Sequence, residues 1–347
     1  MSERDRGGEP DTAERSAPAG GAERPAVQGP VAVVCNPVRV DLPRVRAAVE
    51  AAAEQAGVTE LLWLETTPEQ GGQAQVGEAL DRGARLVLAA GGDGTVRAVA
   101  EAVRGTGATL ALLPAGTGNL LARNLGVPYT SVEEACRIAF EGATRSIDVG
   151  VAVAEAQDGT VSEHAFLVMA GVGIDAAMIA NARPALKRRF GWVAYVDAAF
   201  RSLPSATKVR IRFRIDGGHE RSAHVSTILI ANCGTLPGNM QLIPDGEVDD
   251  GLLDVAILQP ASVFGWLAIW RKVTWENRVL RRSALGRRII RFTDRTVRTR
   301  LSYLRGASVS LRVDEPEPFE LDGDAFGTAV ALEVRVEERS LRVKVPG

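Results

Sequence analysis

The chain has 347 residues, 46% of them hydrophobic and 24% charged, with a formal net charge of −2. This is the balance of an ordinary globular protein with room for about two domains of ~150 residues, and it excludes a fibre, a disordered scaffold and a strongly basic nucleic-acid binder. The three widely spaced cysteines, Cys35, Cys136 and Cys233, argue against a disulfide framework or a zinc site and fit a reducing cytoplasm.

Residues 1–28 are rich in Gly, Pro, Glu, Arg and Ser and hold no apolar block, so they read as a disordered leader and not as a signal peptide. From residue 30 to about 145, short apolar runs alternate with helix-patterned segments. Residues 31–35 read as a buried strand, and Asp41 then caps a helix whose Leu42, Val45, Val49 and Ala53 share a face until Gly57 stops it. Residues 61–64 form the second strand, a helix through Val76 and Leu80 follows, and residues 86–90 form the third strand.

Gly91-Gly92-Asp93-Gly94-Thr95 comes next, ahead of a helix carrying Val96, Val99, Ala100 and Val103. The fourth strand, 110–113, runs into Pro114-Ala115-Gly116-Thr117-Gly118-Asn119, with Asn119 placed to cap the helix from Leu120. Strands that are apolar on both faces and separated by helices predict an α/β domain over 29–147, a doubly wound parallel sheet whose ligands bind at the carboxyl ends of its strands. Both glycine turns lie at that edge. Glycine lets backbone N–H groups converge on an anion, and the following helix N-terminus adds its dipole, so the expected ligand is a nucleotide. No G-x-x-x-x-G-K-[ST] loop is present, and no G-x-G-x-x-G follows the first strand.

Beyond residue 147 the pattern changes to alternation, as in Val209, Ile211, Phe213 and Ile215 interleaved with arginines. Further strand candidates at 165–169, 225–231, 252–258, 309–313 and 332–336 predict a β-rich second domain over 148–336. Residues 337–347 form a C-terminal segment for which a return to the first domain is open.

Two acidic clusters stand in this half. Carboxylates at 245, 247, 249, 250 and 254 on a glycine-bearing loop suit either a magnesium ion or a solvated turn. In Glu320-Leu321-Asp322-Gly323-Asp324, either Asp322 or Asp324 is placed to accept a proton during phosphoryl transfer, the plainer alternative being an Asp-Gly hairpin turn. Residues 262–275 carry Phe264, Trp266, Leu267, Trp270 and Trp275, and residues 271–305 hold twelve Lys or Arg. That composition fits an anionic membrane surface, the plainer alternative being a core helix beside a solvated strand face.

Six motifs in order now stand together: Asn36-Pro37, the 91–95 turn, the 114–119 turn, Gly171-Val172-Gly173-Ile174-Asp175, Asp249-Asp250-Gly251-Leu252 and Asp322-Gly323-Asp324. With them the chain resembles the diacylglycerol kinase catalytic family, which includes bacterial lipid kinases, sphingosine kinases and ceramide kinases. The resemblance runs from about Val31 to the C-terminus. It implies an N-terminal domain related to phosphofructokinase and NAD kinase that binds ATP, a C-terminal β-sandwich that accepts lipid, and transfer of the γ-phosphate to a lipid hydroxyl with Mg2+. Nucleotide contacts are implied for Asn36, Pro37, Thr67, Gly91, Gly92, Asp93, Gly94, Thr95, Gly116, Thr117 and Asn119. Magnesium is implied at Asp250 with the carbonyls of Glu247 and Leu252, and Asp249 stands close. Asp324 occupies the place of the family's proton-accepting Glu, with Asp322 in the same catalytic turn.

Three stretches depart from the family pattern: Val38-Arg39-Val40 after Asn36-Pro37, Val96-Arg97-Ala98 in place of x-Asn-Glu, and Asp324, one methylene shorter than Glu. The expected partners are a lipid substrate at a membrane surface, reached from the cytoplasm, and no nucleic acid, with a homodimer admitted. A soluble-metabolite kinase of the NAD kinase or phosphofructokinase type, and a non-catalytic nucleotide or lipid sensor, are the competing readings.

Overall fold

The computed structural model describes residues 29–67, 71–173, 209–236, 240–241, 246–258 and 301–347. The leader, the aromatic segment 262–275 and the basic residues between 271 and 300 lie outside the described residues.

The first half forms β1 (Val31–Cys35), α1 (Leu42–Gln55), β2 (Leu61–Glu65), α2 (Gln73–Asp81), β3 (Leu86–Gly91), α3 (Asp93–Val103), β4 (Thr109–Pro114), α4 (Leu120–Asn124) and α5 (Val132–Glu141). Asp41 starts α1 by accepting the Arg44 N–H, and Val45, Val49 and Ala53 form its buried stripe. The strands are parallel in the order β2-β1-β3-β4. Successive residues of each strand point to opposite faces. Val31, Val33, Leu86 and Leu88 therefore pack on α1 and α5, while Ala32, Val34, Val87 and Ala89 pack on α2 and α3. Because both faces are covered, β1 and β3 are buried along their whole length.

The second half supplies β5 (Ala143–Glu155), β6 (Val161–Phe166), β7 (Met169–Gly173), β8 (Val209–Ile215), β9 (Arg221–Val225), β10 (Thr227–Ala231), β11 (Thr235–Leu236), β12 (Met240–Gln241), β13 (Leu253–Leu258), β14 (Leu301–Gly306), β15 (Ser308–Leu321) and β16 (Asp324–Val345). Apart from β11 and β12, which pair with each other, these strands make a β-sandwich around a core that includes Phe166, Ile211, Phe213, Ile230, Val255 and Leu311. β15 serves both layers. Its residues 309–313 pair with β8 and its residues 319–321 with β7, and the register shifts between Arg312 and Glu317 and again between Pro318 and Glu320. Pro316 and Pro318 cannot donate to a ladder, so the strand turns its corner there.

The two halves share one mixed sheet of 14 strands. β16 pairs with β5 from Ala331 to Val345, and its Arg342 and Val343 also run parallel to Thr109 and Leu110 of β4. Without β16, β4 would be an open edge of a parallel sheet, with unpaired N–H and C=O groups. Leu341 and Val343 complete the core beneath α3. Position 147 lies inside β5, and 337–345 is the end of a strand that begins at Asp324. Among the described residues no helix is long and apolar enough to cross a membrane.

Candidate functional site

β3 and β4 are adjacent and in register, with Gly91 opposite Pro114, so the glycine turns that follow them leave the sheet side by side. They touch closely enough that a methyl group on Gly116 would stand 2.9 Å from the Gly92 α-carbon. Asn119 adopts φ 48° and closes its own turn, its Oδ1 accepting the Gly116 N–H at 3.0 Å and its Nδ2 donating to the Gly116 carbonyl at 2.9 Å. Its side chain therefore does not cap α4, contrary to the sequence expectation.

Asp93 takes over that task. Its carboxylate crosses from the first turn to accept the backbone N–H of Asn119 at 2.9 Å and of Leu120 at 2.6 Å. Burial pushes the Asp93 carboxyl up, the two backbone donors pull it down, and the negative charge of Asp324 pushes it up further. Asp93 thus ties the two turns together with its side chain directed into the protein. Thr95 is buried against Gly91, whereas Thr117 and Thr67 are exposed. Asn36 follows β1, donates its N–H to the Ala90 carbonyl and accepts the Val38 N–H at 3.1 Å, which brings it to the same sheet edge. Pro37 beside it is exposed.

Between β15 and β16, Asp322 and Gly323 both have positive φ, 50° and 83°, and Leu321 pairs with Asp324 across a two-residue hairpin turn. The Asp-Gly hairpin turn named as the plainer alternative is thus present. The two aspartates, equivalent in the sequence, part company here. Asp322 is buried and accepts the N–H groups of Leu167 and Val168 at 2.8 Å and of Met169 at 3.0 Å. Burial raises its pKa to about 6 against the pull of those three donors. Both oxygens serve the segment joining β6 to β7, so Asp322 anchors the hairpin and faces away from solvent.

Asp324 points the other way and is half-buried. Its Oδ2 lies against Gly94, 2.7 Å from where a methyl group on that glycine would be. A carboxylate from the second half of the chain therefore stands at the first turn of α3.

One face of α3 forms a polar seam with the sandwich, which the sequence reading missed. Arg97 places its guanidinium carbon 4.5 Å from the centre of the Phe326 ring and pairs with Glu101 at 3.6 Å. His164 packs on the same ring at 4.7 Å, and Arg104 bridges Glu163 at 3.1 Å and Glu337 at 2.6 Å. Residues 97, 101 and 104 have helical spacing, a visible signal, but their partners lie up to 233 positions away.

The acidic loop is held by protein groups. Asp148, fully buried, accepts the Gly251 and Arg339 N–H groups at 2.7 Å each and donates its own N–H to Val248. Arg145 forks onto both oxygens of Asp249 at 2.6 and 2.8 Å, and holds that carboxyl below its usual range. Asp250 accepts from Arg305 at 2.6 Å and from the Leu252 N–H at 3.1 Å, and Glu247 is exposed. Among the described residues no three His, Cys, Asp or Glu side chains converge to hold a metal ion. Within the expected magnesium set of Asp250, Asp249, Glu247 and Leu252, the two carboxylates, Asp249 and Asp250, are paired with Arg145, Arg305 and the Leu252 N–H, and that arrangement does not fit the ion because two guanidinium groups would repel a dication there.

Residues 30–152 match the diacylglycerol kinase catalytic domain, and residues 167–345 match the YegS C-terminal NAD kinase beta sandwich-like domain. The chain belongs to the diacylglycerol kinase catalytic, YegS-like family. A probable YegS-like lipid kinase of Pseudomonas savastanoi pv. phaseolicola is 32% identical to this family member over 276 residues, covering 78% of this chain and 79% of its own. An uncharacterised protein of Synechocystis is 28% identical over 266 residues, and there the chain spans only 55% of the relative's length. The crystal structure of a diacylglycerol kinase from Bacillus anthracis has the same fold, with a TM-score of 0.62 at 19% identity over 91% of this chain and 97% of that one.

Proposed function

We propose that this member of the family is an ATP-dependent lipid kinase that transfers the γ-phosphate to the hydroxyl of diacylglycerol or a related lipid such as a sphingoid base. The observation that carries the reading is the contact of Asp324 with Gly94, which sets one carboxylate at the mouth of two apposed glycine turns. The N–H groups at the N-terminal end of α3 would receive the nucleotide phosphates, beside a second turn whose Gly116, Asn119 and Leu120 N–H groups are already bonded within the protein. Asp324 would accept the proton of the lipid hydroxyl as its oxygen bonds to the γ-phosphorus and the bridging oxygen leaves on ADP. Magnesium would enter with the nucleotide as part of the MgATP substrate and neutralise phosphate charge.

The parallel β2-β1-β3-β4 order, with helices on both faces, supports the finer likeness to the doubly wound sheets of phosphofructokinases and NAD kinases. A lipid acceptor would require work at a membrane surface, reached from the cytoplasm. The test is incubation of the full chain with MgATP and mixed micelles of diacylglycerol, sphingoid or phosphatidyl lipids, with products read by mass spectrometry. A phosphorylated lipid that disappears with Asp324→Ala supports the reading, and absence of product across the panel ends it.

A further inference from the structure

The loop over residues 247–252 has the acidic composition of a cation site, but two of its three carboxylates, Asp249 and Asp250, are held by arginines. Asp249 gives both oxygens to Arg145, in the fork-on-carboxylate geometry that makes guanidinium the strongest side-chain partner for a carboxylate. Asp250 divides its oxygens between Arg305 and the Leu252 N–H. Arg305 also reaches Asp254 of β13 at 3.2 Å, so one guanidinium spans a loop acid and a strand acid. Beneath them, the buried carboxylate of Asp148 fixes the backbone at Gly251 and joins it to Arg339 of β16. The loop is thereby clamped to β5 through Arg145 and Asp148, to β14 through Arg305 and to β16 through Arg339. A metal ion in such a loop would do two things, neutralise the acids and cross-link the strands, and both are already done.

We infer that this loop carries its own cations: Arg145 and Arg305 replace a resident divalent ion, and the loop is built and held without metal. Magnesium demands near-octahedral oxygen ligands and gives up its water reluctantly, so to bind here it would have to displace the forked Arg145 and the Arg305 contact to Asp250. This loop then adds no magnesium requirement of its own. This inference does not depend on the kinase reading, and it is tested without nucleotide or lipid.

Mn2+ serves as the probe, by electron paramagnetic resonance and calorimetric titration of the full chain, with thermal melting in EDTA and in Mg2+ alongside. The wild type is expected to show no tight Mn2+ site and the same melting temperature in both buffers. The Arg145→Gln/Arg305→Gln double variant uncovers the acids and is expected to gain one Mn2+ per chain, lost again when Asp250→Asn is added. A wild-type Mn2+ site that Asp250→Asn removes overturns the inference, as does a folded double variant that gains no site. If the double variant does not fold, the wild-type titration and its Asp250→Asn control decide alone.

Discussion

Asp324 Oδ2 stands where a side chain on Gly94 would have to go, 2.7 Å from the position of its methyl group. The contact joins the hairpin between β15 and β16 to the helix that follows the first glycine turn, residues far apart in sequence. Gly94 lies within α3 and has no positive φ, so alanine there is conformationally easy and would favour the helix by about 0.5–1 kcal/mol. Its methyl group would displace the carboxylate. Gly94→Ala is therefore expected to leave the melting temperature unchanged or slightly higher while lowering the rate of lipid phosphorylation to near that of Asp324→Ala. An active Gly94→Ala enzyme would break the assignment of Asp324.

Asp322 should behave as a structural carboxylate with a measurable pH signature. Asp322→Asn puts an amide N–H against a backbone N–H, since three donors converge on the group. Leaving a buried donor unsatisfied costs about 1–3 kcal/mol, which denaturant titration would read. The native pKa is raised from 3.8 to about 6, so the folded state holds the proton more tightly than the unfolded chain. The stabilisation from protonation is complete below the unfolded value and is lost as pH rises through about 6. The stability of the wild type relative to Asp322→Asn should fall across that window and stay level above it.

Asp93→Asn is expected to loosen the second glycine turn. An amide offers one acceptor where the carboxylate gives two, to Asn119 and Leu120. The cost should be about 1–3 kcal/mol, with weaker ATP binding in a nucleotide titration because the turns no longer hold each other. Stability and affinity should fall together, whereas a loss of affinity alone would mean that the Asp93 carboxylate acts on the nucleotide itself.

The seam on α3 makes a prediction about pairs. Arg97 and Glu101 are mostly shielded from water, with side-chain exposures of 12% and 19%. Arg97→Ala strands the Glu101 carboxylate and removes the guanidinium from Phe326, and should cost about 1–3 kcal/mol. The double variant Arg97→Ala/Glu101→Ala should lose less than the sum of the single changes, by about 0.5–3 kcal/mol. Strict additivity in denaturant melts would mean that the pair carries no coupling.

Much of the first half was legible because its signals are local. Uninterrupted apolar runs at β1 and β3, three- and four-residue spacing in α1 and α3, and glycine turns between them all act within a few residues. The long strands were not. β5 and β16 pass from one layer to another, and the burial pattern along β16 changes over its 22 residues, so no single period marks it. Residues 332–336 alone stood out as a strand in that stretch.

Chain-local chemistry was enough to say that two glycine turns lie at the same sheet edge, that Asp322-Gly323 suits a tight turn, and that carboxylates gather at 245–254. What each carboxylate does depends on partners that only the folded chain brings near. Asp93 caps a helix that starts 27 residues later, Asp322 is consumed by backbone donors more than 150 positions away, and Asp249 meets Arg145 across 104. A side chain's charge and length are written in the sequence, but its role is set by burial and by which donors arrive first, and those are properties of tertiary packing.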